Sequence, residues 1–170
     1  AFFEASLGDR KFLSETATRY GLVASLIRAR DYERAKRELV PLRKTASPII
    51  ENLACRIPDA AGDAAQALAC YQAARRLYPN PRALFYGHVE QLLRLRQPAE
   101  ALKLIDTRLQ TQSDEPRLYQ LQAKAYAAQG SSLLQHRAQG EAYVRAGQLG
   151  PALEQFQIAL KSGQGDFYQL

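Results

Sequence analysis

One short signature recurs along this chain of 170 residues and constrains its fold more than any other feature. A turn is followed, five positions after it begins, by alanine, and four further on by an aromatic or bulky aliphatic residue. It reads Arg30-Asp31-Tyr32-Glu33-Arg34-Ala35 with Leu39, then Gly62-Asp63-Ala64-Ala65-Gln66-Ala67 with Tyr71 and Ala74. It returns as Arg96-Gln97-Pro98-Ala99-Glu100-Ala101 with Ile105, and as Gly147-Gln148-Leu149-Gly150-Pro151-Ala152 with Phe156 and Ala159. Gly130, after Tyr126-Ala127-Ala128-Gln129, marks a further turn. Turns therefore begin at 30, 62, 96, 130 and 147, at intervals of 32, 34, 34 and 17. Such a period describes one small unit per interval, unable to bury its apolar face alone and stable only when stacked on its neighbours.

Between turns the apolar residues step by three or four, as in Leu84, His88, Leu92, Leu95 and in Leu118, Leu121, Ala125, Ala128. That step is helical. Prolines 48, 79, 81, 98, 116 and 151 sit at or near helix boundaries, where a missing N–H costs little. The pattern predicts an all-α chain with helices at 13–29, 32–45, 49–60, 63–77, 81–95, 98–111, 116–129, 131–146 and 149–162. Pro58 falls inside one of them and predicts a kink or an early end. The half-interval at 130–147 makes the helix 131–146 close one pair and open the next. Ala35, Ala67, Ala101 and Ala152 let paired helices approach, and Leu39, Tyr71, Ile105 and Phe156 fill the grooves beside them.

A helix–turn–helix period of 34 with small residues at the inter-helix contact resembles the tetratricopeptide repeat. The fit is best over 62–79 and 143–159; Arg19 and Glu51 stand where the first helix usually carries a large aromatic, as Phe85 and Tyr119 do later. The resemblance implies a right-handed superhelical stack of antiparallel helix pairs, about nine helices, over residues 13–162. Residues 1–12 are an N-terminal flank of uncertain structure and 163–170 a truncated C-terminal flank. Met is absent, so Ala1 is expected to lie inside a longer polypeptide.

Scattered stretches narrow the resemblance. Ala17-Thr18-Arg19-Tyr20-Gly21-Leu22, Leu77-Tyr78-Pro79-Asn80-Pro81-Arg82-Ala83-Leu84, Arg137-Ala138-Gln139-Gly140-Glu141-Ala142-Tyr143 and Gly165-Asp166-Phe167-Tyr168-Gln169-Leu170 look like the tail of periplasmic zinc metalloproteases of the β-barrel assembly-enhancing type. The resemblance implies a non-catalytic docking half of such an enzyme, located in the periplasm. Its partners would be its own protease domain, client proteins and the outer-membrane assembly machinery. No HExxH motif lies in this sequence, so zinc and peptide hydrolysis are expected only in a separate protease domain. The alternative is a stand-alone scaffold that associates with itself, its groove filled by another copy or by residues 1–12.

In such arrays the first helices line a concave groove. Helical phase assigns to it Tyr20, Ile27 and Arg28, then Asn52 and Arg56, then Tyr86, Glu90 and Arg94. Gln120 and Lys124, then Arg137, Glu141 and Arg145, complete it. Tyr and Arg are the types that anchor protein interfaces. His88 reads as a core histidine, and His136 has no acidic or Cys partner in reach. Cys55 and Cys70 belong to facing helices; they read as buried thiols at different depths, although an oxidising compartment would permit a bridge. The formal charge of +6, from 23 Lys and Arg against 17 Asp and Glu, favours acidic partners. Most Arg pairs lie near helix ends, where cations complement the helix dipole, so no nucleic-acid site is assigned. No apolar run is long enough to cross a bilayer.

Overall fold

The computed structural model describes residues 2–10 and 14–162, and among them every regular element is helical. In chain order they are α1 (Phe2–Gly8), α2 (Glu15–Arg28), α3 (Tyr32–Leu39), α4 (Pro48–Ala61), α5 (Ala64–Leu77), α6 (Arg82–Arg94), α7 (Pro98–Leu109), α8 (Pro116–Ala128), α9 (Ser132–Arg145) and α10 (Leu149–Lys161). A short 3-10 turn, Leu42–Lys44, follows α3. The expected flank 163–170 lies outside the described residues.

The five turns are one structure written five times. Residues 30, 62, 96, 130 and 147 all adopt the left-handed conformation, with φ of 61°, 85°, 56°, 74° and 73°. In each, the next residue's N–H reaches back five positions: Asp31 to Leu26, Asp63 to Pro58, Gln97 to Leu92, Ser131 to Tyr126 and Gln148 to Tyr143, at 2.9–3.0 Å. This closes the free carbonyls at the end of one helix. Where aspartate follows, its carboxylate caps the next helix: Asp31 accepts from the Arg34 N–H and Asp63 from that of Gln66. Three of the five left-handed residues are glycine; Arg30 and Arg96 pay the Cβ clash instead. Arg96→Gly is therefore expected to raise stability by about 0.5–1 kcal/mol, read as a higher urea midpoint. An unchanged or lower midpoint means the arginine side chain offsets its backbone.

Three elements differ from the sequence expectation. The helix expected over 32–45 stops at Leu39, because Pro41 has no N–H to continue it. Pro58 does not end α4, which runs on to Ala61; so close to the terminus it removes one hydrogen bond from a helix that Gly62 then closes. The N-terminal flank contains α1, seven residues too short to show a period.

The chain divides into two compact units, Ala1–Gln91 and Leu92–Leu170. In the first, α1 packs on α2, α2 pairs with α3 and α4 with α5, and α2 and α3 stack on α4. The core joins Val23, Ile27, Ala35, Leu39, Leu53 and Ile57, all 6% exposed or less. A second cluster holds Cys55, Ala67, Tyr71, Ala74 and Leu84. In the second unit α7 packs on α8, and α9 packs on both α8 and α10, which is why its two turns are half a period apart. Ala101 and Ile105 are fully buried and Ala152 is nearly so.

Cys55 and Cys70 are joined by a disulfide, with Cα atoms 5.3 Å apart. The reading of them as thiols at different depths is corrected by the hairpin. Cys55 lies six residues before the end of α4 and Cys70 six after the start of α5, so antiparallel pairing sets them level.

Candidate functional site

Aromatic rings resting on glycine set the spacing of the helices that frame any groove. A Cβ on Gly87 would run into the Tyr71 ring, one on Gly140 into Phe156, and one on Gly21 into Phe3. Each contact needs the hydrogen-only side chain.

In the second unit, α7, α8 and α9 enclose a cleft of about 300 Å³. Tyr119, Gln122 and Tyr126 of α8 form one wall; Leu134, Arg137, Glu141 and Arg145 of α9 form the other, with Leu109 at the floor. Arg145 is fixed in place four ways. Its guanidinium lies 3.9 Å from the centre of the Tyr119 ring, its Nε donates to the Ser113 carbonyl at 2.5 Å, its Nη1 donates to the Glu141 carbonyl at 3.2 Å, and it is ion-paired with the Glu141 carboxylate. Gln122 is held by Asp106 of α7, to which its Nε2 donates at 2.9 Å. Burial, reinforced by Asp106 and opposed by Arg137, raises the Tyr126 hydroxyl above its ordinary 10.0, so it remains a hydrogen-bond donor. Arg145 and Gln122 are thus held before any ligand arrives, and these two have little side-chain entropy left to lose on binding.

The expected groove residues fall in different places. Arg137, Glu141 and Arg145 meet in this cleft. Gln120 and Lys124 do not: α8 buries Leu118, Leu121 and Ala125, and at 100° per residue Gln120 and Lys124 point to solvent on the other side of it. The α8 residues that line the cleft are Tyr119, Gln122 and Tyr126. In the first unit, Ile27 and Tyr86 are 4% and 6% exposed; Ile27 belongs to the core, and Tyr86 packs edge-on against Phe85 at 5.6 Å. Tyr20 is half-buried against the same core, and Asn52, Arg56 and Glu90 are half-buried. Arg28 and Arg94 are exposed.

His88 is buried, and its Nδ1 accepts from Arg75 Nη1 at 2.7 Å, while the Arg75 guanidinium also lies 5.1 Å over the Phe85 ring. Burial first, and the Arg75 charge second, lower its pKa from 6.5 to about 4. Above 6.5 the ring is neutral whether folded or not. Below 6.5 the unfolded ring takes up a proton that the folded one refuses until about 4, so stability falls across that window. Between pH 8 and pH 5 the expected loss is about 2 kcal/mol. His88→Gln should flatten that dependence of the urea midpoint; an equal slope in both proteins assigns the loss elsewhere. His136 shares a hydrogen bond of 2.8 Å with Gln155. Among the described residues no three His, Cys, Asp or Glu side chains gather as a metal would require, and no helix is long and apolar enough to cross a membrane.

No protein-family model matches the chain, and no curated protein matches it in sequence. Solved structures do resemble it. MamA from Desulfovibrio magneticus RS-1, residues 41 to the end, superposes with a TM-score of 0.58 at 20% identity, over 91% of this chain and 100% of that one. An RS-1 MamA double mutant superposes with a TM-score of 0.60 at 19% identity, over 88% and 96%. The likeness is one of fold: an all-α array of tetratricopeptide-type helix pairs.

Proposed function

We propose that this chain is a protein-binding module whose α7–α9 cleft takes a short segment of another protein. The carrying observation is the cleft itself: two tyrosines, two arginines and two leucines, with Arg145 and Gln122 already fixed by their own partners. It suits an acidic segment with one apolar side chain, because Glu141 is already matched by Arg145 and Arg137 adds a second positive charge, while Leu109 and Leu134 offer apolar surface.

Binding of fluorescent acidic peptides that carry one aliphatic anchor tests this reading. Tyr126→Ala and Arg137→Ala are each expected to weaken binding by about tenfold or more, whereas Lys124→Ala leaves it unchanged. Equal binding by all three, or none by the parent chain, overturns it.

The finer reading is the docking half of a periplasmic zinc metalloprotease in outer-membrane protein quality control. Its own protease domain, clients and the assembly machinery would be the partners, and zinc would sit in the protease domain alone. The sequence stretches quoted above support it, and so does the Cys55–Cys70 bridge, since disulfides persist in oxidising compartments such as the periplasm. A gene whose reading frame encodes no HExxH segment ahead of Ala1 would end that reading.

A further inference from the structure

The α10 helix packs on α9 and presents an apolar stripe whose outer side is exposed. Leu149, Leu153, Phe156 and Leu160 fall within one narrow arc, and the three leucines are 69%, 59% and 61% exposed. Phe156 covers Gly140, and beside it lies a space of about 300 Å³ bordered by Ala159 and Leu160 of α10 and by Arg137 and Glu141 of α9. Tyr71 holds the same place after the turn at 62. It is only 2% exposed, because it clusters with Cys55 of α4 and also covers Gly87 of α6. The space beside Phe156 therefore has the shape of a seat for a helix that offers a glycine.

Such a glycine is present on α2. Gly21 is covered by Phe3 of α1, as Gly87 is by Tyr71, and Leu7 packs beside Phe3 on the core of the first unit. Glu4 of α1 is ion-paired with Arg34 of α3. The segment Phe3-Glu4-Ala5-Ser6-Leu7 has the order ring, polar, exposed, small, leucine, and Phe156-Gln157-Ile158-Ala159-Leu160 repeats it. Yet α1 has seven residues and buries none of them fully. A helix that short has little stability of its own, so its hold on α2 rests on those few contacts.

We propose that the occupant of the α10 stripe is a second copy of this chain. The α10 helix of one copy seats on α2 of the next, with Phe156 on Gly21 in place of Phe3 and Leu160 in place of Leu7. The contact joins two different surfaces, so copies add head to tail. α1 competes for the seat and sets the concentration at which assembly begins, since affinity is reduced by the fraction of copies whose seat is open. Arg137 and Glu141 border both this space and the α7–α9 cleft, but Gly21, Phe3, Phe156 and Leu160 line no part of the cleft, so substitutions at these four test the stripe alone.

Sedimentation of the full chain across a dilution series is the test, with helical circular dichroism as the check on folding. Phe3→Ala is expected to strengthen association about tenfold or more by freeing the seat. Leu160→Glu, at an exposed position, is expected to abolish association in both backgrounds. So is Gly21→Leu combined with Phe3→Ala. Mixing these two non-assembling proteins should restore a one-to-one complex, because one keeps the seat and the other keeps the stripe. A Phe3→Ala protein that stays monomeric at the highest concentration overturns the proposal; its own residues 163–170 or another protein would then cover the stripe. Association that survives Leu160→Glu, or a mixture that fails to pair, overturns it equally.

Discussion

Replacing Tyr71 with alanine is expected to cost about 3–5 kcal/mol, the range for removing a buried aromatic. The ring is 2% exposed, lies in the cluster of Cys55, Ala67, Ala74 and Leu84, and rests on the bare backbone of Gly87. Because Gly87 offers no side chain to move into the space, the cavity cannot collapse from that side. A loss of this size is a large share of the roughly 5–15 kcal/mol that holds a typical domain folded. Tyr71→Phe keeps the ring on Gly87 and should cost far less than the alanine substitution. Adding Gly87→Val to Tyr71→Ala should recover part of the loss, although Gly87→Val alone is destabilising through overpacking. A Tyr71→Ala protein with a urea midpoint near that of the parent would mean the two helices are not held by this ring.

Opening the Cys55–Cys70 bridge is the second large effect. The crosslink closes a loop of 15 residues, and removing it should cost about 3 kcal/mol, chiefly by releasing entropy to the unfolded chain. With a typical urea slope this is a midpoint lower by about 1–2 M, seen on adding dithiothreitol or in Cys70→Ser. Amide exchange should localise the loss to α4 and α5 and spare α8 to α10, because the bridge lies wholly in the first unit. Since Cys55 and Tyr71 share a cluster, the two losses should not add. A midpoint indifferent to reductant, with free thiols demonstrated, would show that the bridge adds nothing to the fold.

What could be read without coordinates depended on the range of the forces involved. The turns were legible because each is held by hydrogen bonds spanning five residues and by one residue's φ, so Gly62, Gly130 and Gly147 declare themselves. Arg30 and Arg96 were found by period alone, since nothing in arginine favours a left-handed backbone. The alanines were legible for a related reason: close approach of two helices tolerates few side chains. The seven-residue α1 was not legible, because two turns of helix are too few to establish a period.

One wall of the proposed cleft coincides with residues the sequence assigns to a groove. Arg137, Glu141 and Arg145 share a face of α9 at steps of four, and the cleft uses them. On α8 the cleft is lined by Tyr119, Gln122 and Tyr126, which lie on the other flank of the buried stripe from the expected Gln120 and Lys124. Helical period fixes which residues share a face; it does not fix towards which neighbour that face turns. The aromatic stripe at steps of three and four was the available signal.

The sequence by itself determined the all-α class, the five turns and the small residues where helices touch, because those are settled by contacts within a hairpin. Tertiary structure alone decided which tyrosines face the cleft, that Ile27 and Tyr86 are interior, and that two cysteines stand level enough to bond. Those depend on the rotation and height of one helix against another. They are fixed by the summed packing of many side chains distant in the chain, to which no single residue type is a guide.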